Sequence, residues 1–170
     1  KVANKDGLAT ITSTYAGILY AIEKDVDIIN ISMNARVSES SFLLTDAIKQ
    51  ATDAGIKVIV SAGNRSMDVA KITPSNIPEA IVVSSVDVNG EFAEYSNYGD
   101  TIDYATSCNY DGVYGTSNAA LRMSSMYAYI MGIDGADADE LINSAAENPN
   151  DTDWDEYYGY GIVNPYNVYK

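Results

Sequence analysis

The chain has 170 residues, which suits one domain with one sizeable core. Hydrophobic residues make up 46% and charged residues 20%, a balance that excludes an intrinsically disordered chain. The formal net charge of −14 repels phosphates and anionic headgroups, so neither nucleic acid nor a membrane surface is expected as a partner.

The apolar spacing of Tyr15, Ile18, Leu19 and Ile22 predicts a helix that Thr14 caps and that runs to about Lys24. Val26 to Ser32 is a β-branched run that reads as a buried strand. Ser40 or Ser41 opens a second helix with Leu43, Leu44, Ala47, Ile48 and Ala51 as its inward stripe, and Gly55 stands just past its end. Lys57 to Ala62 is another buried strand, stopped by Gly63-Asn64. A polar loop with Pro74 and Pro78 leads to a third strand, Ala80 to Val86. Asn89-Gly90 marks a turn between two short extended segments, and residues 102–106 read as a further strand. The small residues Gly115 to Ala120 then lead into a helix with Ala119, Met123, Met126, Tyr127 and Ile130 on its apolar face. Asp137 caps a last helix whose Leu141, Ile142 and Ala145 point inward. The acidic stretch from Asn148 to Glu156 reads as a solvated loop, and Gly159 to Asn164 closes the domain. Helices alternating with strands imply an α/β fold: a three-layer parallel sheet with helices on both faces.

The sequence holds no histidine, so no imidazole of this chain performs acid–base chemistry. Cys108 is alone and forms no intrachain disulfide; it reads as a small, partly buried thiol without an activating base. No apolar run approaches the roughly 18 residues of a membrane span. Asp87, Asp100, Asp103 and Asp111 match no calcium-loop motif and read as solvated surface. Asp151, Asp153, Asp155 and Glu156 lack the glycine and the final spaced glutamate of an EF-hand. No metal or cofactor is expected. The chain opens at Lys1-Val2 without a methionine, so a fragment or processed piece of a longer polypeptide is expected.

Four segments, in this order, resemble the subtilases, the subtilisin-like serine peptidases. Tyr20-Ala21-Ile22 through Asp27-Ile28-Ile29-Asn30-Ile31-Ser32 is similar to the family's helix and its D-V-I-N-M-S strand. Val60-Ser61-Ala62-Gly63-Asn64 resembles its A-A-A-G-N turn, Gly115-Thr116-Ser117 its G-T-S, and Tyr158 to Asn164 its terminal Y-G-x-G-x-V/I-N. The resemblance implies that Ser117 is the nucleophile and Asn64 an oxyanion donor. It also implies that an extended peptide or protein substrate lies along Ser32-Met33-Asn34, and that Ser61-Ala62-Gly63 wall the pocket for the residue before the cleaved bond. From the residues alone, Ser117 also reads as a helix N-cap and Gly63-Asn64 as an ordinary turn.

The resemblance also exposes departures. Lys1-Val2 resembles the end of a K-V-L strand that follows the family's D-S/T-G and H-G-T motifs, so the catalytic Asp and His are expected upstream of residue 1 or nowhere. The family's G-T-S-M-A-x-P-H-V-A-G reads here Gly115 to Ser125, with Leu121-Arg122 where Pro-His would stand. Its A-P-G is replaced by Thr106-Ser107-Cys108, and its Gly-rich stretch by Asn34-Ala35-Arg36-Val37, whose side chains narrow the cleft. Two readings stand: a serine endopeptidase completed by an upstream segment, and an inactive pseudopeptidase kept as a binding module. Without the family's N-terminal strands the first strand becomes an open edge, for an upstream fragment or a second copy of the chain to cover. The family resemblance is compatible with a secreted or cell-envelope location.

Overall fold

A computed structural model describes residues 1–37, 41–107 and 114–168. In chain order the elements are helix α1 (Ile11–Glu23), strands β1 (Ile28–Ile31) and β2 (Ala35–Arg36), helix α2 (Phe42–Asp53), strand β3 (Lys57–Ser61), a 3₁₀ turn (Val69–Lys71), and strands β4 (Ile72–Thr73), β5 (Ile81–Val86) and β6 (Ile102–Ser107). They are followed by helices α3 (Thr116–Met131) and α4 (Ala138–Ala145), strands β7 (Ala146–Glu147) and β8 (Ile162–Val163), and the short helix α5 (Pro165–Val168).

The main sheet runs β1-β3-β5-β6-β8-β7, parallel throughout except for the β7–β8 pair. Side chains alternate across it, as the two-residue period requires. Val58, Val60 and Val82 point to one face and pack with Ile18 of α1 and Leu44, Ile48 and Ala51 of α2. Ile59 and Val83 point to the other and meet Ala119, Met123, Met126 and Ile130 of α3 and Ile142 of α4. The expected three-layer α/β architecture is therefore present, with helices on both faces. Each fully buried Ile or Val contributes about 1.5–3 kcal/mol.

Several local expectations are corrected. Helix α1 starts earlier than Thr14: Thr10 is its cap, its hydroxyl accepting from Ser13 N–H while the Ser13 hydroxyl accepts from Thr10 N–H. That reciprocal pair satisfies two backbone donors, which Thr14 alone cannot. Of the two expected openings of α2, Ser41 is the cap, its hydroxyl accepting from Leu44 N–H at 3.4 Å, and Ser40 lies outside the described residues. Leu43 and Leu141 are not inward but 38% exposed, each one position off the buried stripe of its helix. Strand β1 is only half-buried: among the described residues β3 is its one strand neighbour. Asp103 is not solvated: it sits on β6 and its Oδ2 accepts from Val82 N–H at 2.7 Å. Cys108 and Asp111 lie outside the described residues. The Asn89-Gly90 turn is present, with Gly90 at φ 85° and Val86 bridged to Phe92.

Candidate functional site

In an open parallel sheet the carboxyl ends of the strands all emerge on one side, where side chains from different strands converge. Here β1 delivers Ser32-Met33-Asn34 and β3 delivers Ser61-Ala62-Gly63-Asn64. The ladder that sets Ile31 beside Val60 places these two segments next to each other. Helix α3 begins at the same end of the sheet, so residues some 53 and 85 positions apart become neighbours.

Asn64 is pinned by Thr116. Its Oδ1 accepts from Thr116 N–H at 2.9 Å and from Thr116 Oγ1 at 2.9 Å. A backbone N–H only donates, so the amide oxygen must face Thr116, and Nδ2 is left as the outward donor. The Thr116 hydroxyl in turn accepts from Gly63 N–H at 3.0 Å, tying the β3 turn to the start of α3. Gly115 precedes the helix with φ 136°, and a Cβ there would stand 3.3 Å from Asn64 Nδ2. Glycine both tolerates that backbone and leaves room for the amide.

Ser117 is the second residue of α3, and Gly115 holds the cap position, so the N-cap reading of Ser117 is corrected. Its Oγ lies 3.4 Å from the Ser32 carbonyl, and Ser32 Oγ lies 3.4 Å from the Ser117 carbonyl. The Ser117 N–H belongs to a helix first turn, where amides have no intrahelical acceptor. It lies at the positive end of a 16-residue helix. Asn64 and Ser117 thus stand side by side, with two N–H donors at one helix terminus. That arrangement suits a developing negative charge on oxygen.

The walls of the neighbouring slot are held by hydrogen bonds that are buried at Ser75 and Asn97 and part-buried at the exposed Asn34. The Ser61 carbonyl accepts from Ser75 Oγ at 2.8 Å, and Ser75 is fully buried. Asn34 Nδ2 reaches across to the Ser61 carbonyl at 3.1 Å and to Ser61 Oγ at 3.2 Å. Asn97 is a residue the sequence reading missed. It is fully buried, donates to the Ala62 carbonyl at 2.8 Å, and its Oδ1 accepts from Arg65 N–H at 3.0 Å and Met67 N–H at 3.2 Å. Its own N–H binds the Gly63 carbonyl at 2.9 Å. One side chain therefore shapes the whole turn that carries Asn64. Beyond Met33 and Asn34, a cavity of about 420 Å³ opens between Leu8, Ile11, Leu44 and Pro74. Among the described residues no group of three or more His, Cys, Asp or Glu is arranged to hold a metal ion.

A parallel α/β sheet with a serine at a helix start and an amide pinned beside it is the arrangement that the sequence resemblance implies. The model of the subtilase family matches residues 1–161, and the chain belongs to that family. Subtilisin DY of Bacillus licheniformis is 28% identical over 181 aligned positions, which cover 96% of this chain and 64% of that protein. Subtilisin-like protease 1 of Pseudogymnoascus destructans is 28% identical over 159, covering 85% of this chain and 39% of that one. The chain therefore spans between about two fifths and two thirds of the curated relatives' length. Among solved structures, a lanthipeptide protease superposes with a TM-score of 0.85 at 18% identity, over 99% of this chain and 69% of the other. A protease from Pseudoalteromonas arctica superposes at 0.78 with 26% identity, over 94% and 58%.

Proposed function

We propose that this chain supplies the nucleophile and oxyanion donors of a subtilisin-like serine endopeptidase, with Ser117 as nucleophile and Asn64 as donor. The pinned amide of Asn64 beside Ser117, at the carboxyl ends of β1 and β3, carries this reading. In the mechanism, Ser117 Oγ attacks the scissile carbonyl carbon and its proton passes to a base. The carbonyl oxygen becomes an oxyanion, held by Asn64 Nδ2 and Ser117 N–H. The C–N bond then breaks, the amine leaves with that proton, and water hydrolyses the acyl-serine ester. The base is not a histidine of this chain, which has none. The reading therefore requires an imidazole from outside these 170 residues. The peptide substrate lies extended along Ser32-Met33-Asn34, pairing by its backbone, with Ser61-Ala62-Gly63 as the opposite wall.

A partner follows from the same reading. Among the described residues β1 carries a ladder on one side only, which suits a further strand. An upstream segment of the same polypeptide, or a second copy of the chain, would cover it. The second functional reading is an inactive pseudopeptidase that binds peptides without cleaving them. Leu121-Arg122, where the family has Pro-His, favours it.

A fluorophosphonate probe separates the two. The chain together with the polypeptide encoded ahead of Lys1 is expected to be labelled at Ser117, with labelling lost in Ser117→Ala. Peptide binding without any labelling of that complete protein sinks the enzyme and leaves the pseudopeptidase.

A further inference from the structure

We infer that Asn34 closes the pocket for the residue before the scissile bond, and that this chain accepts only peptides with a small residue there: glycine, alanine or serine. The inference rests on the substrate cleft proposed above. In that cleft the side chain of this residue enters the slot between the segments 32–34 and 61–63.

Asn34 belongs to one wall, yet its amide ends at the other. Nδ2 donates to both the carbonyl and the hydroxyl of Ser61, at 3.1 and 3.2 Å. A Cβ built on Gly63 would lie 3.3 Å from Nδ2 and 3.3 Å from Oδ1 of Asn34, so the amide head lies directly over the Gly63 backbone. The side chain spans the slot from wall to wall, touching both ends of the Ser61–Gly63 segment.

The anchors are fixed. Ser61 is 1% exposed, and its carbonyl is also held by buried Ser75. Ala62 and Gly63 are held by Asn97, whose side chain donates to the Ala62 carbonyl and whose N–H donates to the Gly63 carbonyl. On its own wall, the chain just after Asn34 is paired, Ala35 with Thr73 and Arg36 with Ile72. Neither wall yields easily, so a large side chain must displace the amide and break two hydrogen bonds. That costs affinity by about tenfold or more. A methyl or hydroxymethyl group fits above the amide without moving it.

Two product peptides of equal charge test this on the 170-residue chain: acetyl-Ala-Ala-Pro-Ala and acetyl-Ala-Ala-Pro-Phe. Binding is followed by NMR titration, including the Asn34 side-chain amide signals. The wild type is expected to bind the alanine-ended peptide at least tenfold more tightly. Asn34→Gly and Asn34→Ala are each expected to shift the ratio of the two affinities about tenfold or more towards the phenylalanine-ended peptide. An unchanged ratio in both variants overturns the inference and leaves the cleft intact. No binding of either peptide to any variant overturns the cleft as well. A shifted ratio in a chain whose Ser117 is never labelled keeps the inference and sinks only the catalytic reading.

Discussion

The two ends of the sheet are built from different chemistry. At the carboxyl ends of β1 and β3, the side chains that set the geometry are neutral: Asn34, Asn64, Asn97, Ser61, Thr116 and Ser117. At the opposite end, a cavity of about 310 Å³ is lined by Lys57, Glu79, Asp103, Tyr104, Tyr127 and Asp139. There Lys57 pairs with Asp139 at 2.6 Å, and Tyr127 donates to the same carboxylate at 3.1 Å. Burial pushes the Asp103 carboxyl up to about 7 against a single backbone hydrogen bond. Burial, and then the neighbouring Asp103 charge, pushes the Tyr104 hydroxyl up as well. Perturbed ionisation usually points towards function. In this chain it points away from the candidate site, because desolvation between strand starts shifts a carboxyl regardless of chemistry. In the function proposed above, the candidate site instead works through fixed dipoles, which need no proton of their own to stabilise an oxyanion.

The largest effect should come from breaking that dipole arrangement. Asn64→Ala removes the outward donor while Thr116 keeps its place in α3. The rate of Ser117 labelling by a fluorophosphonate is expected to fall by about 10²–10³, the magnitude measured for loss of such a donor in a subtilisin and carried over here. Thermal stability should also fall, because the fully buried Thr116 loses the acceptor for its N–H and its hydroxyl, so labelling is compared at a temperature where both proteins are folded. Undiminished labelling would remove Asn64 from the oxyanion role. Asn97→Ala attacks the same turn. It leaves the Ala62 carbonyl and the Arg65 and Met67 amides without their partner. A cost of about 3 kcal/mol is expected, about 10 °C in thermal midpoint. A stable Asn97→Ala chain with unchanged peptide binding would show that the turn holds itself.

The contrast also marks what the sequence could reveal. The parallel strands were legible because Lys57 to Ala62 and Ala80 to Val86 are near-continuous β-branched runs of the kind buried on both faces. Asn64 and Ser117 were legible only because their segments resemble the family's A-A-A-G-N and G-T-S; the residues alone read as a turn and an N-cap. Asn97 was not, since Ser96-Asn97 in a loop reads as turn chemistry. Its partners at Ala62 and Gly63 lie about 35 positions away, and only the tertiary fold brings them together. The Asn34 crossing shares this reason. The sequence showed side chains where the family has glycine, but not that one of them reaches the far wall. Leu43 and Leu141 misled because a helical period fixes a stripe, not its width. Asp103 misled because a single acid within the strand segment 102–106 reads as solvent-facing, whereas its carboxylate turns onto the Val82 N–H of β5.

The charged end gives the smallest prediction and the sharpest sign. A carboxyl raised to about 7 in the folded chain holds its proton where the unfolded chain, near 3.8, has lost it. Between those two values the native state binds more protons than the unfolded state, so stability falls as pH rises from about 4 to about 7 and is level above that. Asp87 works in the opposite sense: hydrogen bonds from the Asn89 and Glu91 amides lower its pKa, and its contribution is lost only as pH falls below about 3.8. Asp103→Asn keeps an acceptor for Val82 N–H and removes the ionisation. The groups facing position 103 are Lys57, Glu79, Tyr104, Tyr127 and Asp139, and they stay unchanged in the variant. The difference in thermal midpoint between variant and wild type therefore isolates one carboxyl. It should be smallest near pH 4, widen steadily in favour of the variant up to about pH 7, and stay level above that. Parallel curves across that range would mean that water reaches Asp103 in solution, and that the two ends of the sheet differ less than their geometry implies.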